Sequence, residues 1–332
     1  MVRGACGYSW PMGEFDLIDR FFKRPARRAD LGVGDDCALL SPRPGHQLAL
    51  SADMLVEGRH FLSTVDPVRL GHKSLAVNLS DLAACGAEPR AFLLSLSLPR
   101  ADEVWLQGFS QGLLALADAH GCELIGGDTT QGPLNIAITV MGDVPQGQAL
   151  LRSGAAAGDD IYVSGTLGDA RLALEVFRGQ LSLPEQVFAR CRERMEQPSP
   201  RVALGMALRG VASAAADISD GLLGDLGHIL RQSGVGAQLQ IESCEGMLAC
   251  RHDVDLPQSW RRTCTLSGGD DYELVFTAPA SRRAAVQQAA MAAQVAVTCI
   301  GSVTEQPELE LLDAQGQRVN TRFASFDHFA RD

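Results

Sequence analysis

The stretch "DPVRLGHKSLAVNLSDLAACGAEPRAFLLSLSLP", residues 66–99, holds a helix, a strand and the turn between them. Asp66 followed by Pro67 is a helix start: a capping carboxylate stands ahead of the one residue whose missing N–H is harmless at the first helical position. The helix predicted from there runs to about Cys85, and "RAFLLSLSLP" then reads as a strand. One residue resists this pattern. Asp81 lies inside the helix between Leu79 and Leu82, so its carboxylate needs a partner, which a shared metal ion would provide.

Outward from this unit the chain keeps mixing helices and strands. A helix is predicted over 14–22 and strands over 37–40 ("CALL") and 46–53 ("HQLALSAD"). A helix over 102–120 follows, then strands "CELIGGD" and "NIAITVMGDV". The small, turn-rich "RSGAAAGDD" at 152–160 sets a domain boundary near residue 150. Beyond it come the strand "DIYVSG", helices near 168–178, 184–195 and 200–210, the strand "AADIS", a helix over 222–233 and the strand "AQLQIE". "YELVFTAP", a helix over 281–293 and "VTCIGSV" close the pattern. The alternation is too irregular for a TIM barrel. The expected organisation is a leader over 1–12, an N-terminal domain over 13–150 and a C-terminal domain over 151–332, both mixed α/β.

Length and composition agree with two globular domains: 332 residues, 46% apolar and 21% charged. A formal net charge of −11 argues against nucleic acid or an anionic membrane as partner, yet leaves room for nucleotides that arrive with metal ions. Nine cysteines without C-x-x-C spacing read as reduced, mostly buried thiols in a cytoplasmic protein. The longest apolar run, "AFLLSLSL" at 91–98, is too short to span a bilayer.

The common nucleotide signatures are absent. "GHKS" at 71–74 is not a P-loop, and "GVGDDC" at 32–37 breaks the dinucleotide fingerprint at its last position. "DISDG" at 217–221 resembles a nucleophile elbow but carries Asp217 at the first glycine position. What recurs instead is aspartate at strand ends and tight turns: Asp35 and Asp36, Asp53, Asp81, Asp128, Asp217 and Asp220. Each alone is more often a helix cap or turn residue. Together, with Gly34, Ser51, Ser80, Gly126, Gly127, Ser219 and Gly221 beside them, they are hard oxygen donors with space for a bulky anion. Such a set suits Mg²⁺ or Mn²⁺ rather than zinc or copper.

The motifs "GVGDDCALL", "LSADMLVEGRHF", "KSLAVNLSDLAACGAEPRAFLLSLSLP", "LIGGDTTQGP", "LRSGAAAGDDIYVSGTLGDA", "DISDGLLGDLGHI" and "LSGGDDYELVF" occur in this order. Together they closely resemble the thiamine-monophosphate kinase family, within the superfamily that includes aminoimidazole ribonucleotide synthetase. The resemblance covers residues 13–329. It implies an N-terminal sheet that joins a partner's into a barrel in a homodimer, and a C-terminal α/β domain that closes an ATP cleft. The implied reaction moves the ATP γ-phosphoryl group to thiamine monophosphate, giving thiamine diphosphate and ADP, with several Mg²⁺ ions.

Position by position, the resemblance implies metal-binding roles for Asp36, Ser51, Asp53, Asp81, Asp128, Asp217 and Asp220. It implies ATP contacts by Gly127, Asp128, Arg152 and Ser219, and thiamine monophosphate contacts by His60, Asp270 and Phe326. No dedicated acid or base is implied. Arg152 and His60 are the cations expected near the phosphates. Three positions depart from the family pattern: Ala52 replaces a usual threonine, Asp270 a usual glutamate, and Phe326 sits where aromatics vary. Taken singly, His60 is more often a loop histidine, and Phe326 is as readily a core aromatic.

Sibling readings fit less well. A selenide water dikinase needs a reactive Cys in a Gly-rich loop, which Cys6 lacks, and a hydrogenase-maturation dehydratase needs a C-terminal cysteine, whereas this sequence ends "DHFARD". A cyclo-ligase lacks the thiamine-type motifs, and a non-catalytic ATP-binding regulator would not need the complete carboxylate set.

Overall fold

A computed structural model describes residues 13–319 of the chain. The leader expected over 1–12 and the candidate Phe326 lie outside the described residues. The first half runs α1 (Glu14–Phe21), β1 (His46–Val56), α2 (Pro67–Ala84), β2 (Glu88–Leu98), α3 (Glu103–His120), β3 (Glu123–Gln131) and β4 (Asn135–Pro145). The second runs β5 (Asp159–Ser164), α4 (Asp169–Phe177), α5 (Glu185–Glu196), α6 (Val202–Ala207), β6 (Ala214–Ile218), α7 (Leu222–Ser233), β7 (Gly236–Gln240) and α8 (Ile241–Glu245). It ends with α9 (Gln258–Ser267), β8 (Glu273–Pro279), α10 (Arg283–Ala293), β9 (Val297–Thr304) and β10 (Leu309–Leu312). The first half forms a four-stranded sheet in the order β1-β4-β2-β3, and the second a six-stranded sheet in the order β10-β7-β9-β5-β8-β6.

The opening helix–strand unit folds as predicted. The Asp66 carboxylate accepts the N–H groups of Val68 and Arg69, which caps α2. In β2, Phe92, Leu94, Leu96 and Leu98 alternate into the core, where they meet Ile136 and Ile138 of β4 and Leu75, Leu79 and Leu82 of α2. The α2 helix is buried on nearly all sides, as expected of a helix enclosed between layers. Glycines let its neighbours approach closely. A Cβ on Gly112 of α3 would lie 1.8 Å from the Val68 carbonyl, and one on Gly205 of α6 would lie 2.0 Å from the Ala83 carbonyl. Both values are far inside van der Waals contact, so α2 is locked against α3 on one side and the second domain on the other. One apolar core runs through the junction, joining Leu79 and Leu82 to Leu204, Leu208 and Phe276.

Some expectations are corrected. "CALL" is not a strand: Leu39 makes only an isolated bridge to Leu31, and Ala38 and Leu40 pack on the outer face of the first sheet. Pro42 and Pro44 follow at once and remove the donors a longer ladder requires. "AQLQIE" stops at Gln240, because Ile241 begins the short α8. Helix α9 and strand β10 went unpredicted. Among the described residues every cysteine is a free thiol, and no helix is long and apolar enough to cross a membrane.

Gly112→Ala is expected to lower the stability by about 1–3 kcal/mol or more, because the α2–α3 crossing must open to admit a methyl group. Thermal denaturation of the variant checks this, and an unchanged melting temperature contradicts it.

Candidate active site

Three elements meet at the junction of the two sheets. Ser51 and Asp53, two residues apart on β1, point to the same, α2-facing side of the first sheet. The Asp53 N–H donates to Asn78 Oδ1 of α2 at 3.1 Å, and the Ser51 hydroxyl donates to the Asp81 carboxylate in a short hydrogen bond. Asp81 therefore has a protein partner within its own domain. One residue earlier on α2, the buried Ser80 hydroxyl donates to Asp217 Oδ2 at 2.9 Å, across the domain junction. Asp217 is the penultimate residue of β6, and Ile218 leads into the turn Ser219–Asp220–Gly221. The N–H groups of these three turn residues converge on Asp225 Oδ2 of α7 at 3.1, 3.0 and 3.1 Å.

The carboxylates disturb one another. Burial pushes Asp53 up to about 6, with the charges of Asp81 and Asp220 adding to the rise. Burial raises Asp81 as well, while the Ser51 hydrogen bond and the Arg152 guanidinium pull the other way. Asp217 is raised well above the usual carboxylate range, by burial first and then by the charge of Asp81. Asp53, Asp81, Asp217 and Asp220 are thus close enough to repel, and Arg152 is close enough to compensate. Their oxygens do not close on a single point. Among the described residues, the only three metal-type donors within 4.8 Å of one another are Asp169, Cys191 and Cys250, buried in the second domain. Those three are already engaged: Asp169 accepts the Ala249 and Cys250 N–H groups and the Cys191 thiol. Spaced carboxylates of one sign suit Mg²⁺, which takes one or two carboxylates and completes its shell with water and phosphate oxygens.

Asp36, Gly127 and Asp128 do not join this group within one chain. Asp53, Ile138, Leu94 and Gly127 lie in one row across the sheet, with β1 and β3 at opposite edges. Three strand spacings separate the ends of that row by about 14 Å. Asp128 pairs with Ser95, and Ser95 with Ala137, which pairs with Met54; this row lies on the outer face, where Met54 and Asp128 are exposed. Asp36 sits on the loop whose Ala38 and Leu40 cover that same face, and its N–H donates to Asp35 Oδ1.

Of the residues expected at the second substrate, His60 and Asp270 are linked across the junction through Lys73. His60 Nδ1 accepts the Val56 N–H at 3.0 Å, which assigns the ring proton to Nε2. Asp270 pairs with Lys73 of α2, Nζ to Oδ2 at 2.6 Å, and the phenol of the half-buried Tyr272 is raised by burial and then by the Asp270 charge. Lys73 also reaches the His60 carbonyl at 3.4 Å. Sequence reasoning named Arg152 and His60 as the cations here and missed Lys73, Asn78, Asp225 and Tyr272. The signal for Lys73 was a charged residue at an interior position of an otherwise apolar helix. For Asp225 it was a carboxylate one helical turn after a Ser-Asp-Gly turn.

Against this geometry, the comparisons with known proteins fall into one pattern. The chain matches the family model for the N-terminal domain of AIR synthase related protein over residues 34–144, and the model for its C-terminal domain over 156–314. Its two-domain mixed α/β fold is that of the AIR synthase related class. The thiamine-monophosphate kinase of Salmonella typhimurium is 46% identical over 322 residues, 96% of this chain and 98% of that protein. The crystal structure of thiamine-monophosphate kinase from Stenotrophomonas maltophilia superposes with a TM-score of 0.80 at 44% identity, covering 88% of this chain and 92% of that one. AaThiL complexed with AMPPCP and TMP superposes with a TM-score of 0.72 at 30% identity, covering 87% and 89%. The chain belongs to the thiamine-monophosphate kinase family, whose members are ATP-dependent phosphotransferases.

The raised Asp53 has a consequence for stability. Below its ordinary value of 3.8, the folded and unfolded chains both hold its proton and no penalty arises; the penalty grows as pH rises to about 6 and is complete above that. A rise from 3.8 to about 6 corresponds to about 3 kcal/mol. Mg²⁺ is therefore expected to raise the melting temperature more at about pH 8 than at about pH 5. Asp53→Asn should stabilise the chelator-treated protein at about pH 8 by several degrees and shrink the increment from Mg²⁺. Thermal melts with and without magnesium check both; a chelator-treated variant less stable than the parent contradicts them.

Proposed function

We propose that this chain transfers the γ-phosphoryl group of ATP to the phosphate of thiamine monophosphate, giving thiamine diphosphate and ADP. The observation that carries the reading is the convergence of Asp53, Asp81 and Asp217 from both domains beside Arg152, in a chain 46% identical to a thiamine-monophosphate kinase. The relative complexed with AMPPCP and TMP supports ATP and thiamine monophosphate as the two substrates.

Both reactants are polyanions. Two unit charges at about 4 Å interact by about 4 kcal/mol at an effective dielectric of about 20, so several such pairs would keep the phosphates apart. Magnesium ions, when bound, supply the charge neutralisation that lets the two phosphates meet. The residues that would hold them are Asp36, Ser51, Asp53, Asp81, Asp128, Asp217 and Asp220, with Mn²⁺ an acceptable substitute. Arg152, Gly127 and Ser219 contact the nucleotide in this reading, and His60, Asp270 and Phe326 hold the acceptor. The attacking phosphate oxygen is already ionised, so positioning and charge stabilisation suffice and no side chain needs to act as base. Transfer is direct and in line, without a phosphoenzyme.

The reading calls for two copies of the chain. Leu48, Leu50 and Met54 of β1 leave an apolar outer sheet face exposed, which suits a second sheet closing against it. Asp36, Gly127 and Asp128 lie on that face or at the far edge strand, so in this reading they serve the acidic cluster of a partner protomer. The segment between Pro145 and Asp159 divides the N-terminal metal- and nucleotide-binding domain from the C-terminal domain that closes over it. Free, mostly buried thiols fit a reducing cytoplasm.

Asp53→Asn and Asp81→Asn are each expected to abolish ADP release in a coupled assay with thiamine monophosphate, and γ-labelled ATP alone should label no protein. Wild-type rates in either variant, or a stable labelled enzyme, contradict the mechanism. Asp53→Asn and Asp128→Asn, each inactive alone, should complement after subunit exchange. A random mixture should regain about a quarter of the wild-type rate, because half its dimers are mixed and each holds one intact site. No recovery contradicts the shared arrangement.

A further inference from the structure

Lys73 is 2% exposed, on a helix whose neighbouring positions are filled by Leu70, Gly71, Leu75, Ala76 and Val77. Lysine is almost never buried this deeply without a partner. A buried ion pair is also a poor source of stability, since well-packed apolar replacements are often neutral or better. The pair with Asp270 therefore calls for another explanation, and its surroundings offer one. Asp270 and Tyr272 have φ of 65° and 51°, left-handed conformations that side-chain-bearing residues rarely adopt. Each such residue is strained and persists only where its surroundings over-determine it. Here the Asp270 N–H donates to the Ser219 carbonyl and the Tyr272 N–H to the Ile218 carbonyl, both at 2.8 Å. The carboxylate itself is held by the Lys73 ammonium. The same ammonium reaches the His60 carbonyl in the other domain.

We propose that Lys73 is a positioning residue for the acceptor: its ammonium fixes the Asp270 carboxylate and the His60 main chain at a set separation across the domain junction. The inference rests on reading His60 and Asp270 as acceptor contacts. It also changes what Asp270 does. The Asp270–Lys73 pair is neutral as a unit and attracts the thiazolium less than a lone carboxylate would, so Asp270 acts on its ligand chiefly through hydrogen-bond geometry.

The test compares Lys73→Met, Lys73→Gln, Asp270→Asn and the Lys73→Met/Asp270→Asn double variant by ADP release, with KM for ATP and for thiamine monophosphate measured separately. Thermal melts accompany each variant. Lys73→Met should raise the KM for thiamine monophosphate about tenfold, the size expected from losing a charged hydrogen-bond partner. The KM for ATP should stay within about twofold; Lys73→Met leaves Asp270 unpaired and should melt lower than the parent, whereas the double variant, which removes both partners, should recover part of that loss. The double variant should be no worse than the poorer single one, because both remove the same interaction. A wild-type KM for thiamine monophosphate in Lys73→Met overturns the inference, and so do equal rises for both substrates. Lys73→Gln decides the matter by the same criteria where the methionine variant does not fold. Asp270→Asn separates the two levels. If it leaves the KM for thiamine monophosphate unchanged, the acceptor-site reading falls; if it raises that KM and Lys73→Met does not, the role of Lys73 alone falls.

Discussion

Carboxylates of like charge, buried beside one another, oppose folding, and this protein concentrates that opposition at the junction of its two domains. Asp53, Asp81 and Asp217 come from a strand, a helix and a second strand, and each is raised by burial before any neighbour is counted. Relaxation by separating them is blocked. Helix α2, which carries Asp81, is held by the glycine crossing at Gly112 and by the backbone approach at Gly205, so it cannot withdraw from either domain. The hydroxyls of Ser51 and Ser80 each satisfy a carboxylate oxygen, and Asn78 satisfies the Asp53 N–H. None of the three brings positive charge. The rigid apolar packing of α2 is therefore what keeps an electrostatically unfavourable cluster in place, and a ligand that arrives with cations relieves it.

The same helix carries a polar stripe that joins the domains. Ser80 bonds to Asp217, Lys73 to Asp270 and Arg69 to Glu196, all from α2 to the second half of the chain. The turn that follows β6 is fixed from its other side by Asp225, which burial raises to about 7 although three N–H groups point at it. Its acceptor bonds take up three turn donors that would otherwise need water or a ligand. Beside it, the backbone at Asp270 and Tyr272 holds strain that the turn carbonyls and Lys73 offset. Polar groups that look redundant one at a time thus form a continuous support beneath the acidic cluster.

Legibility in the sequence followed the range of the interactions. The α2–β2 unit could be read because its signals are local: Asp66-Pro67 caps, and "AFLLSLSL" alternates. Ser219 and Asp220 stood out because Gly221 marks a turn. "CALL" has strand composition, but composition does not reveal whether a neighbouring strand is within reach, and in the folded chain only Leu31 is. Helix α9 begins after Pro257 and mixes Trp260, Arg261 and Arg262 with Cys264 and Leu266, so its periodicity is too weak to separate it from loop. Lys73 was hidden for a different reason. Its partner is 197 residues away, and a lysine on a helix is ordinarily solvated until the fold supplies the layer that buries it.

Register explains why the aspartates that read alike in sequence part company in space. Side chains alternate between the faces of a sheet, so a single step along a strand decides whether a carboxylate enters the core side or the outer side. Asp53 takes the side of α2; Asp128, level with Met54 three strands away, takes the other, and Asp36 lies on the loop over that outer side. No rotamer carries Asp128 across about 14 Å of intervening sheet. The outer face that holds it also exposes Leu50 at 62% and Met54 at 56%, apolar surface that a second sheet would cover. The exposed apolar surface and the displaced carboxylates Asp36 and Asp128 thus sit on one face of the sheet. On the proposed reading, association of two chains and completion of the phosphate-binding site are a single event.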